Sequence, residues 1–360
     1  MKVGMITFHR ARNIGANLQS YAMNKYINDH IGRCEIIDFY PNNQTAHRNK
    51  IRKLLSCIKS ILFYRKNVID RKFSRFQNEY YIMSTKTYYG DADLFSSHPK
   101  YDILLSGSDQ ILNTTLSNIS KSYYLCFDNT TKKISYASSF GRTVLSDNEY
   151  SLIDLELRKF EHLSAREESA KKIIEERIGK DVELVLDPVF LLSAKEWGQI
   201  GEVIKVPDAY IFVYAMEVTS SLVEAVNRVC AEYPLPVFVV YGCSDNRIIS
   251  GNTVHDCGPR EFISYIRHAK FVITNSFHGT ALSIIFEKEF VCVSHSSRNT
   301  RLENIMTLVG EGEKLVGCFQ INNQVADYKV DGTVALSQLA SYIEKSKRYL
   351  YKACQEYKER

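Results

Sequence analysis

Twice along this chain, short apolar runs alternate with longer stretches of helical spacing, and this alternation constrains the fold more than any other feature. Lys2–Phe8 reads as a buried strand, Gly15–Ile31 as a helix and Cys34–Tyr40 as the next strand. Tyr101–Leu105 and Ile134–Ala137 read as further strands, Ser151–His162 as a helix and Leu163–Ala165 as a short strand. Glu167–Ile178 is then a helix, and Glu183–Leu186 a strand closed by Asp187-Pro188. A second series begins beyond Trp197. There Tyr210–Ala215, Pro236–Tyr241, Phe271–Thr274 and Phe290–Val293 are strands. Ser220–Glu232, Arg260–Ala269 and Gly279–Phe286 are the helices between them, with Pro259 as a helix starter. A strand that pairs in parallel with the next needs a crossover long enough to hold a helix, so such a chain builds parallel sheets. Two series predict two Rossmann-like halves with a ligand cleft at their strand ends. The boundaries expected are 1–190 and 191–336, with 337–360 as a polar C-terminal helix.

Length and composition agree. At about 150 residues per domain, 360 residues give about two domains, and 45% hydrophobic residues can fill two cores. No uncharged apolar stretch is long enough to span a bilayer, and Met1–Phe8 reads as a strand rather than a signal peptide. Nine cysteines without a C-x-x-C suggest reduced thiols in a cytoplasmic protein. Nine histidines without H-E-x-x-H or other metal-ligand spacing argue against a metal site. G-x-x-x-x-G-K-[ST], G-x-G-x-x-G and G-x-S-x-G are all absent, which removes the commonest nucleotide and hydrolase signatures.

Charge is uneven. The net charge is +5, yet the window 48–75 holds ten Lys and Arg against Asp70 alone. Within it Ile51, Leu54, Leu55, Ile58, Ile61 and Leu62 form one helical stripe, with Arg52, Lys53 and Lys59 off the stripe. Such a helix either packs on its own domain or lies on an anionic membrane surface. No nucleic-acid module accompanies it, so nucleic acid is not an expected partner.

Candidate chemistry lies at strand ends. Phe271–Thr274 runs into Asn275-Ser276-Phe277-His278-Gly279-Thr280 and then a helix. This puts His278 near a helix N-terminus, whose N–H groups attract anions. Histidine there either only packs or moves a proton near neutral pH; the strand–polar turn–helix context favours the second. Ser106-Gly-Ser108-Asp109-Gln110, Ser138-Ser139-Phe-Gly141 and Arg166-Glu167 end other strands. Each alone is ordinary turn chemistry, but together they point to a polar cleft, with Arg166 placed to grip an anion. Asn13, Gly15, Asn17 and Gln19 begin the first helix and either cap it or face an acceptor.

N-x-G-A-x-L-Q at 13–19, S-G-S-D-Q-I-L-N at 106–113, Y-A-S-S-F-G at 136–141, S-A-R-E-E-S at 164–169, L-D-P-V-F-L-L at 186–192 and T-N-S-F-H-G-T-A-L-S at 274–283 share an order and spacing. Together they resemble the polysaccharide pyruvyl transferase family, from about Gly4 to Gly310. The resemblance implies a GT-B-like α/β fold of two Rossmann-type domains facing a cleft. It implies transfer of the enolpyruvyl group of phosphoenolpyruvate to two sugar hydroxyls, giving a ketal and phosphate. The acceptor would belong to a capsular or exopolysaccharide precursor carried on a polyprenyl diphosphate, which would give the basic window a membrane role.

On this reading His278 is catalytic. Arg166, Asn275, Ser276, Gly279, Thr280, Arg298 and Arg301 hold the donor. Asn13, Gly15, Asn17, Gln19, Ser108, Asp109, Gln110 and Ser139 face the acceptor. No metal or cofactor is required, phosphoenolpyruvate being a substrate. Some relatives carry R-L-H where this chain has Ser276-Phe277-His278, so either Arg298 or Arg301 replaces the contact made by that arginine or the donor is held differently. The competing readings are a GT-B glycosyltransferase using a nucleotide sugar, for which the second half lacks an acidic pattern beyond Glu287 and Glu289, and a non-catalytic carbohydrate-binding protein.

Overall fold

The structure is a computed structural model that describes residues 1–41, 64–116, 120–242, 248–296, 299–319 and 324–355. The chain divides into two compact units, Met1–Leu191 with Tyr342–Arg360, and Leu192–Ser341.

In the first unit the elements are β1 (Lys2–Ile6), α1 (Ile14–His30), β2 (Arg33–Tyr40), α2 (Tyr64–Tyr80), β3 (Met83–Tyr89), α3 (Gly90–Ser97), β4 (Ile103–Ser106), β5 (Lys132–Ser135), α4 (Asp147–Leu155), β6 (Leu163–Ala165), α5 (Glu168–Ile178) and β7 (Val182–Leu184). Strands β3-β2-β1-β4-β5 form a wholly parallel sheet. Bridges Ile134↔His162 and Ser138↔Ala165 set β6 beside β5, and β7 pairs with β6. The order therefore reverses between β1 and β4, the place where doubly wound sheets bind ligands. Apolar runs such as Ile103-Leu-Leu are buried on both faces, as crossover helices on each side require. Local signals fix the helices. Asn13 caps α1, Ser146 and Glu149 form a capping box on α4, and Gly179 ends α5 in the left-handed conformation.

In the second unit the elements are α6 (Ala194–Gln199), β8 (Ile211–Ala215), α7 (Ser220–Glu232), β9 (Val237–Tyr241), β10 (Asn252–Thr253), α8 (Pro259–His268), β11 (Phe271–Thr274), α9 (Phe277–Ile285), β12 (Glu289–Cys292), α10 (Thr300–Leu308) and β13 (Val330–Asp331). The sheet order is β10-β9-β8-β11-β12-β13, parallel except for β13. Its reversal falls between β8 and β11. Its core packs Ile211, Val213, Phe271, Ile273 and Val291 against the apolar face of α7.

Some elements differ from expectation. The strand β3, Met-Ser-Thr-Lys-Thr-Tyr-Tyr, has only Tyr88 buried, so it lacked the apolar run of the other strands. The last helix, α11 (Gly332–Gln355), starts five residues before the expected 337 and crosses from the second unit into the first. Within the first unit its Ser346 Oγ accepts from Leu186 N at 2.9 Å and its Tyr349 hydroxyl donates to Ser135 O at 2.9 Å. The apolar stripe at 51–62 lies outside the described residues. Where the basic window is described it belongs to α2, which buries Phe73, Phe76 and Gln77. Phe76 packs edge-on against Tyr21 of α1, so this part of the window is docked on its own unit.

Candidate active site

In the second unit, the ends of β11 and β8 are tied together at the turn before His278. The Thr274 Oγ1 donates to Tyr214 O at 2.8 Å and accepts from Ser276 N at 3.0 Å, which turns the chain out of β11. Asn275 then ties β11 to the end of β8. Its Oδ1 accepts from Met216 N at 2.8 Å and its Nδ2 donates to Glu217 O at 2.7 Å. Ser276 is the N-cap of α9 and its Oγ accepts from Gly279 N. A Cβ on Gly279 would stand 2.5 Å from Thr274 Oγ1, so only glycine lets the helix start this close to the strand. His278 is therefore fixed as the second residue of α9, buried, with its ring edge-on to Phe277. The helix dipole places partial positive charge at this end.

Asn275, Ser276, Gly279 and Thr280 were expected to hold the donor. Asn275 and Ser276 instead use their side chains on the backbone of β8 and α9, Gly279 supplies clearance, and Thr280 Oγ1 is buried against Cys292 Sγ at 3.3 Å. They build the platform for His278. Arg301 is the second residue of α10 and half-buried. Arg298 lies outside the described residues.

Sequence reading missed Glu217 and His295. His295 Nδ1 lies 3.2 Å from Glu217 Oε2, and the same carboxylate accepts from Ser296 N at 2.9 Å. Since Glu217 O also accepts from Asn275, this pair is coupled through one residue to the turn before His278. The available signal was a histidine two residues beyond the apolar run Phe290–Val293.

In the first unit, the ends of β4, β5 and β6 also converge. Bridges Asp109↔Ser138 and Ser138↔Ala165 bring the three loops side by side. Asp109 and Ala137 take positive φ, +75° and +51°, unusual for residues with a Cβ. Ser108 Oγ is buried and has no hydrogen-bond partner among the described residues. Ser139 Oγ accepts from Gly141 N at 2.9 Å, and Gln110 packs on Gly141.

The expectation that Arg166 grips the donor is corrected here. Its guanidinium is 3% exposed and faces three carboxylates: Asp187 at 2.5 Å, Glu167 at 3.0 Å and Asp109 at 3.7 Å. Burial opposes its charge, but the three carboxylates raise its pKa further. A cation so enclosed pins the loops together; an incoming anion would meet the carboxylates. Asn13, Gly15, Asn17 and Gln19, expected to face the acceptor, all have structural roles around α1. Asn13 caps α1, and Gly15 is buried inside it. Asn17 donates to Ala11 O and Asn13 O and accepts from Gln77 and Tyr81, so all four of its hydrogen-bond positions are filled. Gln19 Nε2 donates to Thr7 Oγ1 at 2.8 Å, while its buried Oε1 has no hydrogen-bond partner among the described residues.

A polar group at the ends of β1, β2 and β3 went unread. Asp38 accepts from Arg10 Nε at 2.8 Å and Thr87 Oγ1 at 2.6 Å, and His9 Nε2 stands 3.3 Å away. Burial alone would raise the Asp38 carboxyl; the hydrogen bonds from His9, Thr87 and Arg10 outweigh it and hold it down at about 2. His9-Arg10 follows the first strand directly, which was the signal.

Two parallel-sheet units, each with polar side chains at its strand ends, define an α/β fold of the GT-B type. The family model for polysaccharide pyruvyl transferase matches residues 13–297, and the chain belongs to that family. No curated protein matches the sequence. Among solved structures, a UDP-N-acetylglucosamine 2-epimerase from Rickettsia bellii aligns with a TM-score of 0.52 at 10% identity, over 99% of this chain and 97% of that one. Anabaena Alr3699/HepE, solved in complex with UDP, aligns with a TM-score of 0.51 at 9% identity, over 98% of each chain. Both likenesses concern the fold. Among the described residues, no helix is long and apolar enough to cross a membrane.

Proposed function

We propose that the protein transfers the enolpyruvyl unit of phosphoenolpyruvate to two hydroxyls of one sugar, forming a pyruvate ketal and releasing phosphate. The observation that carries this reading is His278, buried at the start of α9 where β8 and β11 diverge. The positive end of a helix suits a phosphate or carboxylate, and a histidine suits the proton transfers.

The balance of the reaction needs both. One proton goes to the methylene carbon, which becomes methyl, and C2 is attacked by the first hydroxyl oxygen. The C2–O bond to phosphate breaks, and the second hydroxyl closes the ketal. Of the two hydroxyl protons released, one replaces the proton given to carbon and the other leaves with phosphate. His278 is assigned the proton transfers and α9 the anion. Glu217 and His295 orient the turn through Asn275.

The acceptor is a sugar of a capsular or exopolysaccharide precursor on a polyprenyl diphosphate, and the basic window 48–75 draws the protein to anionic membrane. The test is to incubate the protein with phosphoenolpyruvate and a lipid-linked acceptor, weigh the product and measure phosphate. A product heavier by one pyruvyl ketal, with equimolar phosphate, supports the reading. Consumption of a nucleotide sugar instead would replace it with glycosyl transfer. Vesicles with and without anionic lipid, sedimented at low and high salt, test the membrane part.

A further inference from the structure

At the far side of the first sheet, β2 and β3 end on a pair of facing tyrosines. Tyr40 and Tyr89 are register partners at the last rung of the β2–β3 ladder. Their rings stack, with centroids 5.4 Å apart and planes 15° apart. The Arg10 guanidinium lies over the Tyr40 ring at 5.1 Å. Neither end of this assembly is loose. Arg10 is held by Asp38 at 2.8 Å and by Gln77 at 3.3 Å, and Tyr89 N donates to Asp93 Oδ2 at 2.9 Å. Yet Tyr89 remains 37% exposed.

A large aromatic ring held in fixed orientation and left partly on the surface, at the C-terminal ends of β2 and β3, offers a contact face at little entropic cost. The charge around it narrows the ligand. A platform for nucleic-acid bases comes with a net positive groove for phosphates. Here the cations flanking the stack are matched, Arg10 with Asp38 and Lys86 with Asp93. Among the described residues the surroundings are polar but close to neutral. That suits a pyranose, whose C–H bonds on one face meet an aromatic ring while its hydroxyls reach charged groups at the rim.

We propose that the Tyr40–Tyr89 stack is a carbohydrate platform on which one sugar ring lies against Tyr89. Calling that sugar the acceptor rests on the pyruvyl-transfer reading; the platform itself does not.

Saturation-transfer NMR on the full chain tests it with methyl glucoside, methyl galactoside and methyl mannoside as probes. Saturation of at least one of them, strongest on the C–H protons of one ring face, is expected for the wild type. Tyr89→Ala should weaken that binding by about five- to tenfold, the worth of an aromatic face contact, and Tyr89→Phe should retain it. Equal saturation in Tyr89→Ala and wild type, or no binding of any probe, overturns the platform. Unfolding midpoints of the three proteins should coincide; a Tyr89→Phe variant that folds but binds like Tyr89→Ala also overturns it, since the ring face is what is proposed to matter. Phosphate release from phosphoenolpyruvate is scored separately, so loss of the pyruvyl-transfer reading and loss of the platform are distinct results.

Discussion

The two units share a strand order through their first five strands and a reversal point, but they arm it differently. The first unit fixes its strand-end loops with charge. Arg166 is locked among Asp109, Glu167 and Asp187, Asp38 among Arg10, His9 and Thr87, and the buried Glu149 is paired with Arg142. The second unit fixes the turn before His278 with neutral groups: a threonine, an asparagine, a serine cap and a glycine. Charge locks loops firmly but fills the site with fields of its own. Neutral hydrogen bonds leave the helix dipole, with the Glu217–His295 pair beside it, as the field at the site, which suits the anion proposed for this unit.

The largest effect separating the two designs should come from Arg166→Met. It leaves three carboxylates facing one another without their cation, and a broken buried ion pair costs about 3–5 kcal/mol. Urea unfolding should show the loss, and an unchanged midpoint would mean the cluster is incidental. Next comes Gly279→Ala, which forces a methyl toward Thr274 Oγ1. Overpacking of this kind costs about 1–3 kcal/mol. The same unfolding assay checks it, and a neutral result would show that α9 can shift away from β11.

The smallest effect appears only in acid. The Asp38, Asp128 and Glu149 carboxyls are each held at about 2, and all three lie in the first unit. A carboxyl with a depressed pKa contributes stability above its unfolded value near about 4, and that contribution is lost as pH falls through its folded value. Between pH 4 and 2 the first unit should open first, seen as faster amide exchange in β1–β5 than in β8–β12. In Asp38→Asn the acid-dependent loss should shrink. Simultaneous exchange in both sheets would erase the contrast.

Much of this was legible from the residues. The strands Leu163–Ala165 and Phe271–Thr274 and the helix Ser220–Glu232 stand as read, because each is an apolar run or stripe with its own stop signals. The convergence of S-G-S-D-Q, A-S-S-F-G and A-R-E-E loops was legible as well, since parallel strands put all their C-terminal ends on one edge. What failed was the assignment of individual polar atoms. Asn17 and Arg166 look like ligand contacts in one dimension, but their partners, Gln77, Tyr81 and Asp187, are 60, 64 and 21 residues away in sequence. The β3 strand was missed because Lys86 and Tyr89 face solvent on an edge strand, which hides the alternation.

The central claim is that the second unit carries the proton chemistry through His278 on a platform the turn has already built. It is tested by His278→Gln, which keeps a polar side chain at the second position of α9. The variant should unfold at the wild-type midpoint yet release phosphate from phosphoenolpyruvate, with acceptor present, about 10²–10⁴ times more slowly. A folded variant with near wild-type phosphate release would contradict the account.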